Sequence, residues 1–213
     1  MNPRAHAYDW VRSKAAPIAY LHTRLATPFD GLDFLDAGCA EGINCEQMRL
    51  LGAHPHGVEP NVRACRYAKE LVNLSDVVQG EYNKQSFPGR VFDIVFSHHT
   101  MEHAVDPVVF AKQLAAHTKP GGHLLLQVPC ADTETPAQLG GIGNFHLFGF
   151  RRRYIESLLE SLEFAILESH YHLGSTSPAV SDINPVTKQP IWGESTSQIT
   201  ILCSKKHSWN SAH

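Results

Sequence analysis

"LDFLDAGCAEG", residues 32–42, decides the fold. Its apolar residues Leu32, Phe34 and Leu35 form a short run that stops at Gly38, and Gly38 and Gly42 bracket Cys39, Ala40 and Glu41. A short apolar run bounded by glycines reads as a buried strand. After Gly42, Cys45, Met48 and Leu51 recur on one face of a helix. In a strand, glycine turn and helix of this kind, backbone can come close to a ligand as the chain turns.

The same alternation extends outward. "HPHGVE" (54–59) is a second strand, followed by a helix with Val62, Cys65, Ala68 and Val72 inward, and "DVVQG" (76–80) is a short third strand. "VFDIVFS" (91–97) is a strongly apolar fourth strand. The helix in "DPVVFAKQLAAHTKPGG" (106–122) has Asp106 as N-cap, Pro107 in its first turn and a Lys-Pro-Gly-Gly stop. "HLLLQVP" (123–129) is a fifth strand, apolar enough to be covered on both faces. A loop over 131–149 leads to the helix "RRRYIESLLESL" and the strand "FAILESHY"; a second loop, 172–195, precedes "SQITILCSK". Two strands joined without a helix form an antiparallel pair at a sheet edge. The expectation is an α/β fold with a seven-stranded, mostly parallel sheet, one antiparallel edge strand and flanking helices. Residues 1–30 read as an N-terminal helical lid segment, 31–204 as the main domain and 205–213 as a flexible tail.

The chain has 213 residues, enough for one substantial core. A formal charge of −3 offers no broad positive field, and Arg151, Arg152 and Arg153 form the only tight basic run, so nucleic acid is a disfavoured partner. Five cysteines at irregular spacing, without a C-x-x-C pair, indicate free thiols in a reducing compartment. No run approaches membrane-spanning length and the N-terminus is no secretory signal, so a cytoplasmic protein is expected.

A dinucleotide would want G-x-G-x-x-G, whereas the turn at 38–42 is G-x-x-x-G with Asp36 and Glu41 beside it. Those carboxylates repel a pyrophosphate and suit a cationic ligand. Glu59 ends the second strand 21 residues after Gly38, where a carboxylate can accept both hydroxyls of a ribose. A nucleoside with a positive charge and no phosphate is S-adenosylmethionine. Here the chain resembles the class I methyltransferases, Rossmann-like in fold, and among them the small-molecule group that includes the ubiquinone-biosynthesis type. "LDAGCAEG", "GVEP", "FDIVFSHHTMEH" and "LAAHTKPGGHLLLQVP" match four family motifs in order, and a weaker likeness continues through "NFHLFGFRRRYIESLLESLEF".

The resemblance implies roles residue by residue. Asp36 would hold the methionine ammonium through water, and the backbone of Gly38, Cys39 and Ala40 would pass under the sulfur side, with Gly42 closing the turn. Glu59 would bind ribose, Pro60 would pack on adenine, and Glu81 and Tyr82 would contact the adenine edge. Ser97 and His98 would line the methionine moiety and the path to the acceptor. Ala40 stands where many members have glycine.

"SHHTMEH" (97–103) contains His99, Glu102 and His103 as H-x-x-E-H, a spacing that holds zinc in some proteases. That site needs a regular helix, and this stretch leaves a strand and meets Asp106 and Pro107 almost at once. Some ubiquinone-type O-methyltransferases bind a divalent cation through an acidic residue four before the histidine. His99 occupies that position here, so no metal site is expected. Imidazoles near the methyl path, His99, His103 and His146, are candidate catalytic bases. The sequence therefore implies S-adenosylmethionine-dependent methyl transfer to a small-molecule acceptor, foremost to oxygen. Alternatives are a nucleic-acid or protein methyltransferase, or a non-catalytic cofactor-binding regulatory domain.

Overall fold

In the computed structural model of the protein, residues 16–130, 146–172 and 198–207 are described. The elements run α1 (16–25), β1 (Asp33–Ala37), α2 (Ile43–Leu50), β2 (His54–Glu59), α3 (Val62–Glu70), β3 (Val77–Gln79) and β4 (Phe92–His98). A 3₁₀ turn (Met101–His103), α4 (Pro107–His117), β5 (Thr118–Pro129), α5 (Arg152–Ser161), β6 (Phe164–His172) and β7 (Gln198–Lys205) follow.

The seven strands form one sheet in the order β3-β2-β1-β4-β5-β7-β6. β1 pairs in parallel with β2 on one side and β4 on the other, so the order of connection reverses between β1 and β4. In open α/β sheets ligands bind beyond the carboxyl ends of the strands at such a reversal. Here those ends deliver Gly38 and His98 to the same crevice.

Alternation along each strand sends neighbouring side chains to opposite faces. Leu35, Val95, Leu124 and Leu126 meet Phe110, Ala111 and Leu114 of α4 and Ile155 and Leu159 of α5 on one face. Phe34, Ile94, Phe96 and Leu125 meet α1, α2 and α3 on the other. Both faces are covered, which explains the unbroken apolar runs of β4 and β5. The Asp106 carboxylate accepts from the backbone N–H of Val108 and Val109, capping α4 as expected.

The antiparallel pair expected at a sheet edge is β6 and β7; within it β7 inserts between β5 and β6, antiparallel to both, and β6 is outermost. Residues 198–203 are all buried, so β7 needs a neighbour on each side. Of the N-terminal segment, residues 16–25 form α1 and pack on the sheet. Ile18, Tyr20 and Leu21 are core residues, and the Tyr20 hydroxyl donates to Glu168 of β6. The remainder of that segment, the loops over 131–145 and 173–197, and tail residues 208–213 lie outside the described residues. Of the expected tail, Lys205 ends β7 and the Lys206 N–H donates to the Glu163 carbonyl.

Two buried histidines link this core to pH. Burial pushes His56 below the ordinary imidazole range, with the Arg90 guanidinium acting in the same direction and Asp76 against it. Burial also lowers His117, whose Nδ1 accepts from the Tyr82 hydroxyl at 2.6 Å. Both rings are neutral when folded and take up protons when unfolded below about pH 6.5. Their contribution is present above that pH and is lost as pH falls toward the depressed values. The unfolding free energy from urea titration is expected to drop between about pH 7.5 and about pH 5.5, by up to about 1.4 kcal/mol per histidine per pH unit. The drop should be shallower in His117→Gln; equal slopes in the two proteins would show that His117 does not titrate in this way.

Candidate active site

The glycine turn leaves β1 in a conformation that only its own residues allow. Gly38 has φ 95°, and a methyl group on it would run into the Thr100 side chain, which arrives from β4. The N–H groups of Gly38 and Cys39 both donate to the Val58 carbonyl, each at 3.0 Å, pinning the turn to β2. Gly42, at φ 80°, lets α2 start against α3, since a Cβ there would lie 2.5 Å from Leu74 and 3.1 Å from Ala68. Ala40 is left-handed too, at φ 48°. Glycine adopts that region freely; alanine does so at a cost of about 1–2 kcal/mol.

Glu59 offsets that cost. Its Oε2 accepts from the Ala40 N–H at 2.8 Å and its Oε1 from the Asn61 N–H at 2.7 Å. Asn61 in turn caps α3 through the N–H groups of Arg63 and Ala64. One carboxylate thus joins the glycine turn to the start of α3. Each of its oxygens retains a further lone pair, so the clamp does not use up its capacity to accept ribose hydroxyls.

Beside this clamp lies a cleft of about 320 Å³, lined by Gly38, Val58, Pro60, Glu81, Tyr82, Asn83 and Thr100 and by the start of α4. That is at the small end of the range for ligand pockets, roughly 300–1,000 Å³. A narrow recess under the turn, lined by Gly38, Ala40, Glu41, Asn44 and His98, adjoins it through Gly38. Asp36 is buried below the turn, and the Cys45 thiol is pushed up by the Cys39 thiol, by burial and by the Asp36 charge. The residues present fit the cofactor expected from the sequence: a backbone cradle that a Cβ at position 38 would fill, with the carboxylates of Glu59 and Asp36 buried beside it.

Three expected contacts are corrected or narrowed. Ser97 is fully enclosed and lines neither cavity, because its side chain falls on the opposite face of β4 from Phe96 and His98. The Tyr82 hydroxyl points into the core to His117, leaving its ring as the cleft wall against Phe110. The Cys39 side chain belongs to the core on the α2 face, so this residue can offer the cleft only its backbone. Asp36, Gly38, Ala40, Gly42, Glu59, Pro60, Glu81 and His98 are all brought to this end of the sheet.

The candidate bases His99, His103 and His146 meet around a residue that sequence reasoning left unassigned. Glu102 is fully buried; its Oε1 accepts from His99 Nδ1 at 3.0 Å and lies 3.9 Å from Nε2 of both His103 and His146. The Glu102 carbonyl accepts from the Leu147 and Phe148 N–H groups, which fastens the segment carrying His146. His99 has φ 52°, and its N–H donates to the Gln127 carbonyl, so the backbone turns sharply where β4 ends. Burial lowers His146, Glu102 opposes this, and His103 and His99 add to it.

Ligand atoms of Glu102, His103 and His146 lie within 4.8 Å of one another. A single carboxylate among imidazoles is not the oxygen-rich set that magnesium or calcium takes. The oxygen facing the rings is already hydrogen-bonded to His99. The cluster does not fit a hard divalent cation and forms a carboxylate–imidazole network. Thr100, Asn83 and Glu102 were missed as site residues. Thr100 and Asn83 lack a local signal, while Glu102 could have been suspected from its place beside a histidine at a strand end.

A family model described as a methyltransferase domain matches residues 10–169. The chain is 28% identical over 190 residues to a ubiquinone biosynthesis O-methyltransferase of Maricaulis maris, covering 84% of this chain and 73% of that protein. It is 33% identical over 134 residues to the mitochondrial ubiquinone biosynthesis O-methyltransferase of Arabidopsis thaliana, covering 59% of this chain and 40% of that one. The chain thus spans less than half the length of the second relative. Magnesium protoporphyrin IX methyltransferase of Synechocystis PCC 6803, solved with bound S-adenosylhomocysteine, shares the fold at a TM-score of 0.63 and 16% identity, over 92% of this chain and 83% of that one. With the glycine turn, the Glu59 clamp and the cleft between β1 and β4 in the places these features predict, the chain belongs to the methyltransferase-domain family and is an S-adenosylmethionine-dependent methyltransferase.

Proposed function

We propose that the protein methylates an oxygen of a small-molecule acceptor, with an imidazole of the His99 cluster taking the proton. One observation carries this reading: the cofactor cradle and three histidines around one buried carboxylate occupy the same end of the sheet. The names of the relatives in ubiquinone biosynthesis support an oxygen acceptor. A formal charge of −3 argues against a nucleic-acid acceptor, and five free, buried cysteines fit a reducing cytoplasm. None of the described helices is long and apolar enough to cross a membrane.

When bound, S-adenosylmethionine supplies a methyl group on a positively charged sulfur, already activated for transfer. Glu59 accepts ribose hydroxyls, Pro60 and the Tyr82 ring form the adenine walls, and Asp36 supplies negative charge to the ammonium side. The backbone from Gly38 to Ala40 fixes the height of the sulfur. His98, lining the recess, marks the side from which the acceptor approaches. What remains for the protein is alignment, exclusion of water and removal of one proton.

Two measurements test the reading. Incubation with S-adenosylmethionine and a panel of phenols and catechols should give a mass gain of one methyl on at least one acceptor. The rate should be unaffected by a chelator; loss of activity in chelator, restored by magnesium or zinc, would contradict the metal-free reading. Separately, Glu59→Ala should weaken S-adenosylhomocysteine binding in calorimetry by about 1–3 kcal/mol, because hydroxyl bonds to a charged acceptor are lost. An unchanged dissociation constant would place the ribose elsewhere.

A further inference from the structure

We infer that Glu102 is a positioning residue: it holds His99 with the proton on Nδ1, so that Nε2 is the atom that accepts the acceptor's proton. The inference rests on the methyl-transfer function proposed above and adds to it the residue that orients the base. A carboxylate can only accept, so the 3.0 Å contact to Glu102 Oε1 requires a hydrogen on His99 Nδ1. In a neutral ring that leaves Nε2 with its lone pair. Nε2 is shielded from solvent and has no hydrogen-bond partner among the described residues. A buried ring nitrogen left without a partner is costly unless a ligand supplies one.

The backbone agrees with this assignment. His99 directly follows His98 at the end of β4, and its left-handed turn sets its ring 4.6 Å, centre to centre, from the His98 ring. His98 lines the recess under the glycine turn, so His99 stands one ring away from the cofactor cradle. Glu102 is well suited to fix a neighbour because it is itself fixed. It is fully buried, lies in a 3₁₀ turn, and its carbonyl is bound by two N–H groups of the segment after His146.

In the step itself the acceptor O–H gives its proton to His99 Nε2 as an oxygen lone pair forms the bond to the methyl carbon. The carbon–sulfur bond breaks with its electron pair on sulfur, leaving neutral S-adenosylhomocysteine and a methyl ether. The imidazolium so formed is stabilised by Glu102 Oε1, and the proton then leaves to water. The groups facing His99 are His98 from β4, Glu102 and His103 from the 3₁₀ turn, and His146 from the segment before α5. Glu102 is the only one that carries negative charge.

The test uses the full chain saturated with S-adenosylhomocysteine, in wild type and in Glu102→Gln and Glu102→Ala. Long-range nitrogen–proton NMR of labelled histidine should show wild-type His99 protonated on Nδ1, and Glu102→Ala shifting it toward the Nε2-protonated form. Wild-type His99 protonated on Nε2 would overturn the inference, whatever the enzyme's acceptor. With an acceptor from the catechol panel, Glu102→Gln should lower kcat about 10- to 100-fold, with KM for S-adenosylmethionine within about two-fold. It should also move the acidic limb of the kcat/KM profile to lower pH, because a neutral amide no longer favours the imidazolium. A purely structural Glu102 would raise KM and lower thermal stability without moving that limb, and this result would overturn the inference. If wild type methylates none of the panel, the proposed function fails while the NMR result still decides the tautomer.

Discussion

The site depends on one carboxylate at the end of β2. By accepting from Ala40 and Asn61 at once, Glu59 ties together a turn that would otherwise resist its own conformation and a helix that begins beside it. A left-handed alanine costs about 1–2 kcal/mol. A charge-assisted bond to its N–H contributes about 1.5–3 kcal/mol, enough to make the strained turn the stable one. Under the proposed function, binding and folding share these oxygens: those that stabilise the turn are also the ones assigned to the ribose hydroxyls. The cradle is set before any ligand arrives, and binding need not order it.

The crevice has a second constraint across from the first. Gly38 can approach Thr100 only because it lacks a side chain, and that approach brings the loop after β4 against the turn after β1. The same loop turns sharply at His99 and then buries Glu102 completely. A buried carboxylate without compensation would be strongly destabilising. Here His99 is hydrogen-bonded to Oε1 at 3.0 Å, and His103 and His146 bring Nε2 to 3.9 Å from the same oxygen, so two segments distant in sequence, 99–103 and 146, converge on one buried carboxyl group.

Much of this was legible in sequence because it follows from local rules. Strand, glycine turn and acidic strand end fixed Gly38 and Glu59 by spacing alone, and Asp106 with Pro107 announced the start of α4. The position of β7 was not legible: period and apolarity identify a strand but say little of which neighbours it takes, and a 25-residue stretch outside the described residues separates it from β6. Ser97 was misplaced for a similar reason. It lies next to His98, which does line the crevice, and one step along a strand turns a side chain to the other face. Glu102 stood in the H-x-x-E-H stretch but its complete burial did not show there, because the approach of His146, 44 residues away, comes only from packing.

The substitution that sets this chain apart at the crevice is His99. An acidic residue there would place two carboxylates side by side in a buried turn, and like charges so close cannot both remain ionised without a cation between them. An imidazole removes that requirement. It supplies a hydrogen where a cation would supply charge and meets Oε1 directly at 3.0 Å. The buried carboxyl thus finds its hydrogen-bond partner within its own turn, three residues back along the chain, while the Glu59 clamp holds the turn that faces it across the crevice.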